Sequence, residues 1–229
     1  MRTSYLLASA VLASLAVAAA PSAASAAVIQ GFDLTGMGLV SSAQLPLAAT
    51  TADPNIAAGG LDVSSNFSPG AVQIPGYVGP DALATDTGSA PIYMHFSVTP
   101  KAGATMSVSA LNVGAVYQNA GELDILVSTD GTLASATQIA TLSAAGSWTG
   151  AATSFDLSGV PAVQNVAGGT TLTFFVNFAN QGWNDRGITQ NGATDGNALE
   201  IVGTVAVPEP ASLSLLGAAG LLFLKRRRR

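Results

Sequence analysis

The chain has no cysteine, so neither a disulfide framework nor a thiolate metal site is open to it, and its fold must rest on packing and hydrogen bonds. Charge is scarce too: 9% of the 229 residues are Asp, Glu, Lys or Arg, against about a quarter in an ordinary soluble domain. There is one histidine, His95, and aromatic residues make up 6% of the chain, with two tryptophans among them. One histidine without cysteine leaves little from which to build a zinc centre or a nucleophile–base pair, because both need several such groups converging. No segment of the central body carries a 3.6-residue apolar period, which argues against a helical domain.

What is abundant is Ala, Gly, Ser and Thr, with 25 glycines, a composition suited to exported, turn-rich β proteins. The mean hydropathy of +0.44 is inflated by alanine and by two apolar segments at the ends. The formal net charge of −5 hides an asymmetry, since Arg2 and Lys225 to Arg229 hold six of the eight basic residues. Between Ala27 and Val207 only Lys101 and Arg186 oppose twelve acidic residues, a net of −10. That balance argues against nucleic acid or anionic lipid as a partner of the body.

The N-terminus reads as an export signal: Arg2, an apolar run to Ala20, Pro21, then a small-residue stretch. Ala24 and Ala26 form the A-x-A pattern that a signal peptidase accepts, which predicts cleavage between Ala26 and Ala27. At the other end Val207-Pro208-Glu209-Pro210 precedes an apolar segment, Leu213 to Leu224, and five terminal cations. Twelve helical residues span about 18 Å, well short of a hydrocarbon core about 30 Å thick, so the segment suits a transient anchor. The cations hold the tail on the cytoplasmic side. The two prolines interrupt helix and strand alike and present an extended segment to a processing enzyme.

Val207-Pro208-Glu209-Pro210-Ala211-Ser212, the apolar run and the arginine block resemble the PEP-CTERM sorting signal of Gram-negative bacteria. The resemblance implies recognition by an exosortase, a membrane cysteine transpeptidase, in species that make extracellular polysaccharide. The partners expected are therefore the exosortase and signal peptidase during processing, the membrane through the tail, and extracellular polysaccharide; the expected location is the cell envelope, outer surface or extracellular matrix. Two stretches of the body, Leu123 to Gly131 and Gly196 to Val205, are more loosely similar to jelly-roll-like domains of such proteins, although Gly196-Asn197 stands where the family often has Asp-Asn.

The domain layout expected is a signal peptide over 1–26, a β-sandwich over 27–206 that is loop-rich in 27–91, and the sorting signal over 207–229. Segments such as Ala48 to Gly60 lack either hydrophobic period and read as loops. From Ile92 onward, short alternating or β-branched runs separated by Gly, Asn, Asp and Pro predict strands. They are Ile92 to Val98, Thr105 to Ala110, Val113 to Tyr117, Leu123 to Val127, Thr137 to Leu142, Ser154 to Leu157, Thr170 to Phe178 and Leu199 to Val205, with a positive-φ turn at Asp130-Gly131. The fold class is all-β, an antiparallel two-sheet, jelly-roll-like sandwich flanked by an N-terminal signal helix and a short C-terminal apolar helix.

Catalytic constellations are weak. His95 lies mid-strand and reads as structural. Gly146-Ser147-Trp148-Thr149-Gly150 resembles a nucleophile elbow, but its serine stands one position early and no strand is read leading into it. Glu122 and Asp124, two apart on one strand, are the only acids to consider for glycoside hydrolysis, and a solvated edge explains them as well. Trp183, Asn184, Asp185 and Arg186 form the most ligand-like loop, an aromatic plate beside amide, carboxylate and guanidinium groups that could contact a sugar; a loop anchor is the plainer use of them. Calcium is the metal whose oxygen ligands the chain could supply, with Asp130, Asp185 and Asp195 as donors, yet no D-x-D-x-D-G series occurs, so no metal ligand or cofactor is assigned. The expectation is a non-enzymatic matrix or carbohydrate-interacting surface protein, with a secreted polysaccharide hydrolase as the alternative.

Overall fold

A computed structural model of the chain describes residues 26–70, 82–85, 91–117, 121–144, 147–179, 186–190 and 196–208. Its strands in chain order are β1 (Ala27–Phe32), β2 (Thr51–Ala52), β3 (Ile56–Ala58), β4 (Asp62–Val63), β5 (Ala82–Thr85), β6 (Tyr93–Pro100) and β7 (Thr105–Tyr117). There follow β8 (Gly121–Ser128), β9 (Thr137–Ala144), β10 (Ser147–Asp156), β11 (Val166–Ala167), β12 (Leu172–Ala179), β13 (Arg186–Thr189) and β14 (Leu199–Ala206). Among the described residues there is no α-helix, only 3-10 turns such as Ser42–Gln44, Leu133–Ser135 and Pro161–Val163. The two helices expected at the chain ends lie outside the described residues.

The strands form two antiparallel sheets. The larger has eight strands in the order β2-β1-β14-β7-β13-β5, with β10 and β11 also pairing with β7. Because Asn112 and Tyr117 of β7 pair with β10 and also with β14 and β13 respectively, β14 and β13 share one side of β7 while β10 lies along the other. The smaller sheet has six strands, β3-β6-β12-β8-β9 with β4 also on β6.

Alternation decides which side chains go inward. In β6, Met94, Phe96, Val98 and Pro100 are buried, while Tyr93, His95, Ser97 and Thr99 point outward. The inward rows of both sheets merge into one core. Phe32 of β1 meets Phe96 of β6 edge to face at 5.4 Å across the sandwich, and Phe96 stacks on Phe174 of β12 at 5.5 Å. Full burial of such a ring stabilises by about 1.5–3 kcal/mol, and a favourable ring pair adds about 0.5–1.5 kcal/mol.

The structure differs from the sequence expectation in several places, among them the short strands β4, β5, β11 and β13, none of which is in the expected set, β13 beginning at Arg186 of the expected ligand loop. Thr105 to Ala110 and Val113 to Tyr117 are one continuous strand, in which Ser109 forms a bulge opposite the Val202/Gly203 step and donates its hydroxyl to the Val202 carbonyl at 3.1 Å. The bulge resets the alternation, so Met106 and Val108 before it and Leu111 and Val113 after it all face the core. The stretch Ala48 to Gly60 holds β2 and β3, two short edge strands that owe their pairing to neighbours and not to a pattern of their own. The predicted Ser154 to Leu157 strand begins earlier, at Ser147. β1 was not foreseen, because Gln30 and Gly31 interrupt its apolar run while both are buried. The Asp130-Gly131 turn is as expected, with Gly131 at φ +79°.

Candidate functional site

Three places on this frame bear on function: the exit of the chain from β14, the outward face of the six-stranded sheet, and a buried polar cluster against the eight-stranded sheet.

β14 is paired on both sides, with β1 and β7, and its last residue, Ala206, still pairs with Thr105. Val207 and Pro208 follow with no intervening linker and are exposed, Val207 at 51%. Proline has no N–H to donate, so the ladder ends there. Of the expected sorting residues, Val207 and Pro208 are described, while Glu209 and Pro210 lie outside the described residues. Of the expected peptidase site, Ala26 is exposed and Ala27 opens β1, while Ala24 lies outside.

On the outward face of the six-stranded sheet, register lines up Asp62, His95, Phe175, Leu126 and Gln138 across five strands. His95 stacks on Phe175 at 5.9 Å, and Tyr93 packs edge-on against both rings. The His95 Nδ1 is buried without a hydrogen-bond partner. Burial pushes the imidazole below its ordinary value, and the nearby Asp62 carboxylate opposes that in part. One pleat along, Asp124 pairs with Asn177 and Thr141. Its Oδ1 accepts the Thr141 hydroxyl at 2.6 Å and the Gln138 amide at 3.2 Å, and the residue is buried. Glu122 and Asp124 flank the inward-facing Leu123 and so share the outward face.

The remaining expectations divide. Asp130 sits in the β8–β9 turn, where its Oδ1 accepts the hydroxyls of Ser128 at 2.6 Å, Thr132 at 2.9 Å and Ser135, and the Thr132 amide at 2.9 Å. These donors, Ser128 foremost, hold its carboxyl well below the usual carboxylate range. An oxygen so occupied locks the turn. Asp185 and Asp195 lie outside the described residues, and among the described ones no three acids or histidines gather as a metal would require. Trp183, Asn184 and Asp185 likewise lie outside. Arg186 is described as the first residue of β13, paired with Tyr117 and Thr85. The stretch around Ser147 corrects one expectation: a strand does lead toward it, since β9 runs to Ala144, but Ser147 then opens β10, making a strand-to-strand connection where a nucleophile elbow requires a helix.

The cluster that the sequence did not reveal centres on Glu200. Although β14 places it on the outward pleat, opposite Gly31 and Asn112, it is only 1% exposed. Asn112 Nδ2 donates to Oε1 at 2.9 Å and Asn197 Nδ2 to Oε2 at 2.8 Å. Asn197 folds over Gly31, where a Cβ would stand 2.6 Å from its Cγ, so only glycine leaves it room. The Thr50 hydroxyl lies within reach of both the Gly31 carbonyl at 3.1 Å and Asn197 Oδ1 at 3.4 Å, and accepts the Asp33 amide at 2.9 Å. Beside it Gln190 clamps Leu34 N and the Gly196 carbonyl. Each buried acceptor thus has a fixed donor, which is how a buried carboxylate without a cation is tolerated.

Compared with known proteins, residues 206–229 match the family of the PEP-CTERM protein-sorting motif. No curated protein matches the chain. Among solved structures, the C-terminal domain of a chitobiase from Bacteroides fragilis is similar at 11% identity and a TM-score of 0.33, over 67% of this chain and 96% of that domain.

Proposed function

We propose, for a chain that ends in a PEP-CTERM protein-sorting motif, that the sandwich is the cargo: a non-enzymatic surface or matrix protein that interacts with extracellular polysaccharide. The motif at 206–229 marks an exported protein sorted by an exosortase and directed to the cell envelope or outer surface. The single observation that carries the finer reading is the direct junction of that motif to a folded acidic sandwich, β14 being paired up to Ala206.

The use of the acids supports a structural role. Asp124, Asp130 and Glu200 each commit oxygens to fixed donors of the fold, and a glycoside hydrolase needs a second carboxyl held opposite a reactive one. Polysaccharide is the partner because Trp183, Asn184, Asp185 and Arg186 bring an indole, an amide, a carboxylate and a guanidinium into one short stretch of sequence, groups suited to stack on and hydrogen-bond a sugar.

The test uses the processed protein recovered from cells and exopolysaccharide isolated from the same culture. Retention on that polymer, weakened tenfold or more by Trp183→Ala, is the expected result. Equal retention of the wild type and the variant removes the loop from the proposal, and no retention of either removes the partner. Turnover of glycan by the wild type that Glu122→Gln or Asp124→Asn abolishes would replace this reading with that of a hydrolase.

A further inference from the structure

The two segments that deal with the membrane leave the sandwich at the same end. Ala27 at the start of β1 pairs with Gly203, three residues before β14 finishes, and the strands run antiparallel. Residue 26 and residue 207 therefore depart side by side. That end is closed by three turns bonded to one another or to a shared strand. Lys101 N donates to the Asn55 carbonyl at 2.8 Å, Gly169 N to the Pro100 carbonyl at 2.7 Å, and the Lys101 ammonium to the Pro54 carbonyl at 2.7 Å. Gly168 packs so closely on the Lys101–Gly103 turn that a Cβ would stand 2.5 Å from the Lys101 carbonyl.

We infer that this end, the Lys101–Ala104 turn with its neighbours, is the membrane-facing surface of the domain while the tail is in place, and that its partner is the lipid bilayer. The inference rests on the sorting reading above. Length decides the orientation. From Ala206 to Leu213 there are seven residue steps, at most about 25 Å of fully extended chain, whereas β7 alone, with 13 residues, runs about 40 Å. A tether of that reach cannot bring the opposite end to the bilayer. Charge decides between standing and lying down, because a body of net −10 opposes laying one of its faces on an anionic lipid surface. The strand ends at Tyr117, Ala144 and Ala179, and Arg186 after them, lie at the far end.

The chain lacks cysteine, so single cysteines can report position without competition. Ala102 and Thr170 are exposed at the proposed membrane end, and Ser65 is exposed beyond the Tyr93 end of β6, about 25–30 Å away at strand rise. The experiment labels Ala102→Cys, Thr170→Cys and Ser65→Cys of the full chain with a fluorophore and reads quenching in phosphatidylcholine/phosphatidylglycerol vesicles carrying a nitroxide headgroup lipid. Quenching at Ala102→Cys and Thr170→Cys at least threefold stronger than at Ser65→Cys is the expected result. Equal quenching at all three, or the reverse order, overturns the orientation and leaves the sorting reading intact. No quenching at any position overturns both, since the tail would then not hold the domain at a bilayer.

Discussion

Each sheet carries a carboxylate on its outward pleat, and the two are hydrogen-bonded in different ways. Asp124 on the six-stranded sheet is held by side chains of the adjacent strand, β9, among them its register partner Thr141. Glu200 on the eight-stranded sheet is roofed by Asn197 and Thr50, of which the latter arrives from 150 residues earlier in the chain. The first arrangement needs only that two strands pair. The second needs β1, β2, β7, β14 and the turn at Asn197 to be in place together, so it reports on assembly of the whole sheet.

Both arrangements depend on the core between them, and the change expected to erase the contrast altogether is Phe174→Ala. Phe174 is fully buried against Phe96, and its loss should cost about 3–5 kcal/mol, read as a lower urea midpoint. Next comes Glu200→Ala, which strands the buried Asn197 amide and the half-buried Asn112 amide and should cost about 2–4 kcal/mol. Gly31→Ala should follow at about 1–3 kcal/mol, because the new methyl displaces Asn197. Asp124→Ala should cost about 1 kcal/mol or less, since the Thr141 and Gln138 donors are exposed and regain water. If Asp124→Ala proved as costly as Glu200→Ala in the same urea titration, the contrast between the two sheets would be wrong.

The smallest effects are with pH, and both lie on the six-stranded side. The Asp130 carboxyl is depressed in the folded state, so its contribution is present above the unfolded value of about 3.9 and fades as pH falls through the depressed one. Asp130→Asn should flatten the acid limb of the stability profile. His95 is also depressed, here because burial disfavours the cation. The unfolded chain therefore takes up a proton near pH 6.5 that the folded chain resists, and stability declines as pH drops below that value. An imidazole NMR titration should place the folded midpoint under 6.5; a midpoint at or above it would contradict the packing of His95 among Tyr93 and Phe175.

What could be read from the sequence follows the same division between local and distant partners. β6, β8, β9, β12 and β14 alternate inward and outward along their own residues, and their pattern announces them. β2 and β3 exist only because a neighbour offers an edge. β1 hides because Gln30 turns inward and reaches the Gly59 carbonyl at 2.7 Å, a partner that no local pattern reveals. Glu200 reads as an ordinary solvent-facing acid in an alternating strand. The one local hint to its burial is Asn197 three residues earlier, but the donor from Asn112 and the cover from Thr50 are matters of tertiary structure. The sorting motif was fully legible because an enzyme reads it as a linear string.

The position of β14 has a consequence for how the protein reaches its folded state. The last strand to emerge during export is an inner strand, lodged between β1 and β7. Until it arrives, those two strands keep bare edges turned toward a vacant slot, and bare edges invite pairing with other chains. The sheet thus acts as a proof of delivery: it closes only for a chain that has crossed as far as Ala206, and the residues that complete it stand immediately before the ones that the sorting machinery reads.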